Sequence, residues 1–234
     1  MKRARKLIIA IDGPAGSGKS TTAKLLASCL KVPYVDTGAM YRAITLKAMN
    51  EKVPFEDTKK LVVVAKKATI HLSETKRSKQ KVFLDGKDVT KTIRTPELTK
   101  NVFRVAQNPA IRRVMVKKQR ILGRKQGAVM EGRDIGTVVF PKADYKFYLI
   151  ADPRLRAERR YKELIAAGKQ VTLKEVIRDQ KKRDAKDRNR KVGPLKKAKD
   201  AFLIDTTPLT IQGTVARILA VVRSNPLKGF KLAG

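Results

Sequence analysis

"GPAGSGKST", from Gly13 to Thr21, leaves this chain fewer folds than any other stretch does. Gly13 and Gly18, followed by Lys19 and Ser20, satisfy the pattern G-x-x-x-x-G-K-[ST]. Its small residues let successive backbone N–H groups close around a polyphosphate. The pattern has meaning only between a strand and a helix, and both are legible. "KLIIAID" (Lys6 to Asp12) is a short, β-branched, apolar run suited to a strand buried on both faces. Beyond the loop, Ala23, Leu26, Ala27 and Leu30 recur at helical spacing, which would set the phosphate on a helix N-terminus.

At 234 residues and 42% hydrophobic content the chain has material for one α/β domain with inserted subdomains. No run approaches the roughly 20 apolar residues of a membrane span. The basic start passes into a strand without a signal-peptide cleavage pattern, so a cytoplasmic protein is expected. The single cysteine, Cys29, is expected to pack as a small apolar residue. Charge is the anomaly, because 55 Lys and Arg against 21 Asp and Glu give +34. The excess is spread along the chain: Leu98 to Met130 holds nine basic residues and no acid, and Arg154 to Lys199 holds 18 against six. Two readings stay open, a polyanion partner such as RNA or a ribosome, and a solvated surface that serves solubility.

Further along, "VPYVDTGAMYRA" reads as a second strand, a turn at Thr37-Gly38 and a helix from Ala39. Thr37 and Arg42 then stand at a helix start, where a hydroxyl and a guanidinium can address a second phosphate. "ATIHLSE" and "QKVFLDGKDVT" have strand character, with a hairpin signal at Asp85-Gly86, and residues 65–103 read as an inserted subdomain. His71 in that region is read as a strand residue without chemistry. From Pro109 a helix places Ile111, Met115 and Leu122 on one face. Two apolar strands follow, and Arg133 and Asp134 lie at the C-terminal end of the first, where open parallel sheets bind ligands. Two charged helices, the second opened by a capping-box pattern at Thr172 and Glu175, suit a mobile lid over phosphates. Within them Lys181, Lys182 and Lys186 are read as solvated. "AFLIDTT" is a fifth strand and "TIQGTVARILAVVR" a closing helix.

Taken in order, "GPAGSGKST", "YVDTGAMYRA", "EGRDIGTVVFP", "RDAKDRNR" and "FLIDTT" resemble the bacterial cytidylate kinases over nearly the whole chain. The resemblance implies an α/β fold of the P-loop NTPase type, a three-layer sandwich on a central five-stranded parallel sheet. Core ranges 1–64, 104–153 and 192–234 would carry an inserted NMP-binding subdomain (65–103) and a helical lid (154–191). It implies phosphoryl transfer from ATP to CMP or dCMP by a soluble monomer. Gly13, Pro14, Ala15, Gly16, Ser17, Gly18, Lys19, Ser20 and Thr21 would hold ATP. Lys19 would bridge the β- and γ-phosphates, and Ser20 would meet Mg²⁺. By position, Arg42, Arg133 and Arg190 correspond to the groups on the CMP phosphate, with Thr37 beside them. Arg112 and Asp134 correspond to the readers of cytosine, and Arg183 and Asp187 to the pair on the ribose. Lys19, Arg133 and Arg190 would stabilise the moving phosphoryl group. At Phe103 the family commonly has serine, and a phenylalanine there either stacks on a pyrimidine or fills core. A kinase for another monophosphate, such as UMP or AMP, and an RNA- or ribosome-associated protein on the same scaffold remain as alternatives.

Overall fold

The computed structural model describes residues 6–74 and 80–226. Residues 1–5, 75–79 and 227–234, which fall in the expected core and inserted ranges, lie outside the described residues. β1 (Ile8–Asp12) runs into the glycine loop and α1 (Lys19–Leu30) leaves it, followed by β2 (Tyr34–Asp36) and α2 (Thr37–Asn50). α3 (Thr58–Lys67) leads to β3 (Ile70–Glu74), β4 (Gln80–Leu84) and β5 (Lys87–Asp88). α4 (Pro96–Ala106) and α5 (Pro109–Gln126) return the chain to β6 (Ala128–Gly132) and β7 (Tyr145–Ile150). α6 (Pro153–Ala166), α7 (Leu173–Arg188), β8 (Phe202–Asp205) and α8 (Ile211–Ser224) complete it.

Five strands form a parallel sheet in the order β2-β6-β1-β7-β8. Alternation along β1 divides the interior. Ile9 and Ile11 pack with Ala23, Leu26 and Leu30 of α1 and with Val215 and Ile218 of α8. Ala10 faces the other way, into a core with Met40 and Ile44 of α2 and Ile111 and Met115 of α5. Helices therefore cover both faces, as buried parallel strands require. Among the described residues, the inserted antiparallel sheet, in the order β3-β4-β5, has no separate core. Its Val82 and Leu84 join the same apolar cluster as Ala10 and Met130.

The Asp85-Gly86 hairpin forms with both residues left-handed, φ 49° and 82°, as a tight two-residue turn demands. The Thr172–Glu175 capping box also forms: Glu175 N–H donates to Thr172 Oγ1 at 3.2 Å, and Thr172 N–H donates to Glu175 Oε2 at 2.8 Å. His71 is exposed on β3, near the Phe83 ring. Two expectations are corrected. Cys29 is exposed, because the buried stripe of α1 runs through Thr22, Ala23, Leu26, Ala27 and Leu30 and leaves position 29 beside it. No turn separates β2 from α2: Thr37 and Gly38 are already helical, since Asp36 caps the helix by accepting from Ala39 N–H at 2.9 Å. Lys186 is exposed, as expected of a solvated lysine, with its ammonium 5.0 Å from the Phe103 ring centroid. Among the described residues no helix is long and apolar enough to cross a membrane.

Candidate active site

The glycine loop owes its shape to two backbone conformations. Gly13 has φ 151° and lies so close to β7 that a Cβ would strike the carbonyl oxygen of Leu149. Gly18, at φ 79°, is the N-cap of α1 and aims the first turn of that helix at the loop. Lys19 follows, only 4% exposed. Its ammonium donates to the Pro14 carbonyl at 2.6 Å and to Ser17 Oγ at 3.5 Å. Burial, reinforced by the positive field of Arg133, pushes this lysine down to about 7. Ser20 and Thr21 are exposed on the same first turn.

α6 and α7 reach this loop directly. The Ala15 carbonyl accepts from Arg156 Nη1 at 2.8 Å and from Gln180 Nε2 at 3.1 Å, so α6 and α7 hold one loop carbonyl between them. Arg156 also pairs with Asp184 at 2.7 Å, both side chains buried. Thr206, just past β8, donates through Oγ1 to the Ser17 carbonyl at 3.3 Å.

The second half of the site lies at the carboxyl ends of β2 and β6. Thr37 Oγ1 donates to the Glu131 carbonyl at 2.7 Å. Arg42 donates through Nη1 to Thr99 Oγ1 at 2.8 Å and to the Ile93 carbonyl at 3.2 Å, which ties α2 to the inserted segment. Asp134 is shared: Arg112 pairs with Oδ2, and Arg190 stands 3.8 Å from Oδ1. All three side chains are buried. Arg133 Nε donates to Asp187 Oδ2 of α7 at 2.8 Å, and this guanidinium holds the Asp187 carboxyl below the usual range against the opposing effect of burial. Arg183, one turn earlier on α7, is exposed. Phe103 is half-buried on α4, facing α7 through Lys186.

Of the residues singled out in the sequence, then, Arg112, Asp134 and Arg190 form one cluster and Arg133 and Asp187 a second. Arg42 is tied instead to Thr99 and Ile93. Several organising residues escaped sequence reasoning. Asp12, at the end of β1, accepts from the Ile135 and Gly136 N–H groups at 2.8 and 2.7 Å, and so fixes the turn that follows Arg133 and Asp134. Burial pushes its carboxyl up to about 7. Glu131 accepts from the Tyr34 hydroxyl at 2.8 Å, and Arg156, Gln180 and Asp184 make the loop clasp. Placement of Asp12 directly before the loop was the one available signal.

Residues 9–224 match the family model described as cytidylate kinase. A cytidylate kinase of Caldanaerobacter subterraneus subsp. tengcongensis is 49% identical over 217 residues, covering 93% of this chain and 95% of that protein. The cytidylate kinase of Bacillus subtilis (strain 168) is 48% identical over 218 residues, covering 93% and 97%. A solved structure of an uncharacterized protein from Eubacterium ventriosum ATCC 27560 shares the fold at a TM-score of 0.53 and 16% identity, covering 94% of this chain and 99% of that one. The loop, the paired strand ends and the two helices clasped to the loop therefore sit in a sequence matched from β1 to the last helix, and the chain belongs to the cytidylate kinase family.

Proposed function

We propose that this enzyme transfers the γ-phosphoryl group of ATP to CMP or dCMP, giving ADP and CDP or dCDP. The observation that carries the reading is Asp134, a buried carboxylate held between Arg112 and Arg190 at the strand ends beside the glycine loop. A carboxylate accepts from the N4 amino group of cytosine, whereas O4 of uracil brings an acceptor against it. The Nε donors of Arg112 and Arg190 are buried with no protein acceptor, a deficit that a bound ligand's oxygens or ring nitrogens would make good.

The chain's own groups then divide the work. Backbone N–H groups of the loop surround the donor phosphates, and Lys19 leaves the Pro14 carbonyl to bridge β and γ. Arg42, Arg133 and Arg190, with the Thr37 hydroxyl, hold the acceptor phosphate, while Arg183 and Asp187 address the ribose. Phe103 on α4 stacks on the pyrimidine. No general base is needed, because the attacking phosphate oxygen is already ionised. Closure of 154–191 over the loop, through the Arg156 and Gln180 contacts to Ala15, excludes water as charge develops. Segment 65–103 serves as the acceptor arm and the remainder as core.

Mg²⁺ fits the donor set at the loop. The Ser20 hydroxyl is a hard oxygen on the exposed first turn of α1, and among the described residues no group of three His, Cys, Asp or Glu forms a ready ion cage. That suits an ion which keeps waters and substrate phosphates as its other ligands, and which neutralises the charge between β and γ when bound. ADP release measured with CMP, dCMP, UMP and AMP side by side tests the reading. Fast turnover of CMP and dCMP is expected, and turnover led by UMP or AMP would overturn it.

A further inference from the structure

Part of the charge surplus lies on a face of which the proposed chemistry makes no use. α3 and α5 together carry eleven lysines and arginines and no aspartate or glutamate. They run side by side in the same direction: Asn108 Nδ2 at the start of α5 donates to Thr58 Oγ1 at 2.8 Å, and further along Lys118 Nζ donates to the Ala68 carbonyl at 2.8 Å. On α5, Arg113, Lys117, Ile121 and Arg124 recur at helical spacing along one exposed stripe. On α3, Lys59, Val63, Lys66 and Lys67 do the same. Among the described residues, the one carboxylate paired with an exposed base of this face is Asp57, 3.5 Å from Lys60. The lid is as basic but differs in kind, since its arginines alternate with acids in pairs such as Arg154–Glu158 and Arg160–Glu163.

We propose that the α3–α5 face binds double-stranded RNA through its phosphate backbone. Two parallel rows of unpaired cations, the longer about 27 Å from 18 residues, meet a regularly spaced polyanion rather than a small ligand. Neither helix contains a phenylalanine, tyrosine or tryptophan, so the face lacks the stacking platforms with which single strands are held. A face made of two helices packed side by side offers no single helix to a DNA major groove, whereas the wide, shallow minor groove of A-form RNA presents its backbone to such a surface. Recognition on this basis is independent of base sequence and separate from the nucleotide site, which takes only Arg112 from these helices.

The test uses the full-length protein and a 5′-labelled RNA duplex of about 20 base pairs, with dissociation constants measured across a salt series. In the face variant Lys66→Gln, Arg113→Gln, Lys117→Gln and Arg124→Gln are combined. A control variant combines Lys31→Gln, Lys142→Gln, Arg217→Gln and Arg223→Gln, all exposed elsewhere. The face variant is expected to bind at least tenfold more weakly at about 0.15 M salt, with the log–log salt slope shallower by about three. The control should change less than twofold, and CMP kinase turnover should stay within twofold in both, which verifies folding independently of RNA. Equal losses in the two variants, equal binding of a DNA duplex of the same length, tighter binding of a single strand, or no binding of the parent protein at 0.15 M salt would each overturn the proposal.

Discussion

Lys19 shows what burial does to a residue that must meet a phosphate. The ammonium rests on Pro14 O and Ser17 Oγ, and burial leaves its proton held only up to about pH 7. A polyphosphate restores the charged form, so nucleotide binding takes up a proton above that pH. Affinity for ATP should be full below pH 7 and fall as pH rises through it, by up to tenfold per unit. Calorimetry at pH 8 in buffers of different ionisation enthalpy would read the uptake, and a signal independent of buffer would contradict it. The same burial works against stability. From about 7 to the ordinary value of 10.5 the unfolded chain holds a proton that the folded chain lacks, so this lysine's contribution to stability improves as pH rises through that window. Lys19→Met should therefore raise the unfolding midpoint of the nucleotide-free protein by roughly 2–8 °C. It should also cost about 10²–10³ in turnover. A variant both less stable and fully active would refute the role. For Asp134→Asn, the ratio of kcat/KM for CMP over UMP should drop by about tenfold or more. An unchanged ratio would take the carboxylate out of base reading.

Among the elements, α6 and α7 are joined by a buried ion pair. Arg156 on α6 and Asp184 on α7 hold the two helices together, and Arg156 carries the same link on to the loop through Ala15. Removing one partner strands the other charge, at a cost of about 3–5 kcal/mol, whereas removing both spares that cost. Arg156→Met should thus lower the unfolding midpoint markedly, and Arg156→Met with Asp184→Leu should recover most of it. Equal destabilisation of single and double variants would place the lid's stability elsewhere. Such pairing was the illegible part of the sequence. Strand–loop–helix order, the Asp85-Gly86 hairpin and the Thr172 capping box were all readable, because each is decided within a few residues of chain. Residue types in the site were readable for the same reason. Which arginine meets which carboxylate was not: Arg112, Asp134 and Arg190 come from α5, the end of β6 and the end of the lid, and only the fold sets their spacing. Asp12 was hidden differently, since its partners are backbone N–H groups more than 120 residues away and carry no side-chain signature. Cys29 misled because α1 buries only one stripe, and its position beside that stripe is set by how α1 lies on the sheet.

For the molecule as a whole, a net charge of +34 on a 234-residue chain is a global term that no single ion pair offsets. Arg112–Asp134, Arg156–Asp184 and Arg133–Asp187 use their carboxylates inside the site or the lid, so they leave the outer charge uncompensated. Like charges at the spacings of α3 and α5 repel over a distance comparable with the Debye length, about 10 Å at 0.1 M salt. Compaction therefore works against self-repulsion, and added salt relieves it. The midpoint of thermal unfolding should rise as sodium chloride increases from about 0.02 to 0.3 M, the opposite of the trend for a fold held together by exposed ion pairs. Sulfate should raise it further at equal ionic strength, since it adds exclusion from the protein surface to screening. ATP affinity should move in the contrary direction over the same range, because screening weakens the attraction of the loop and its arginines for a polyphosphate. A midpoint that stays level while ATP binding weakens would mean that the cations are spaced widely enough to ignore one another, and that the surplus has little influence on folding.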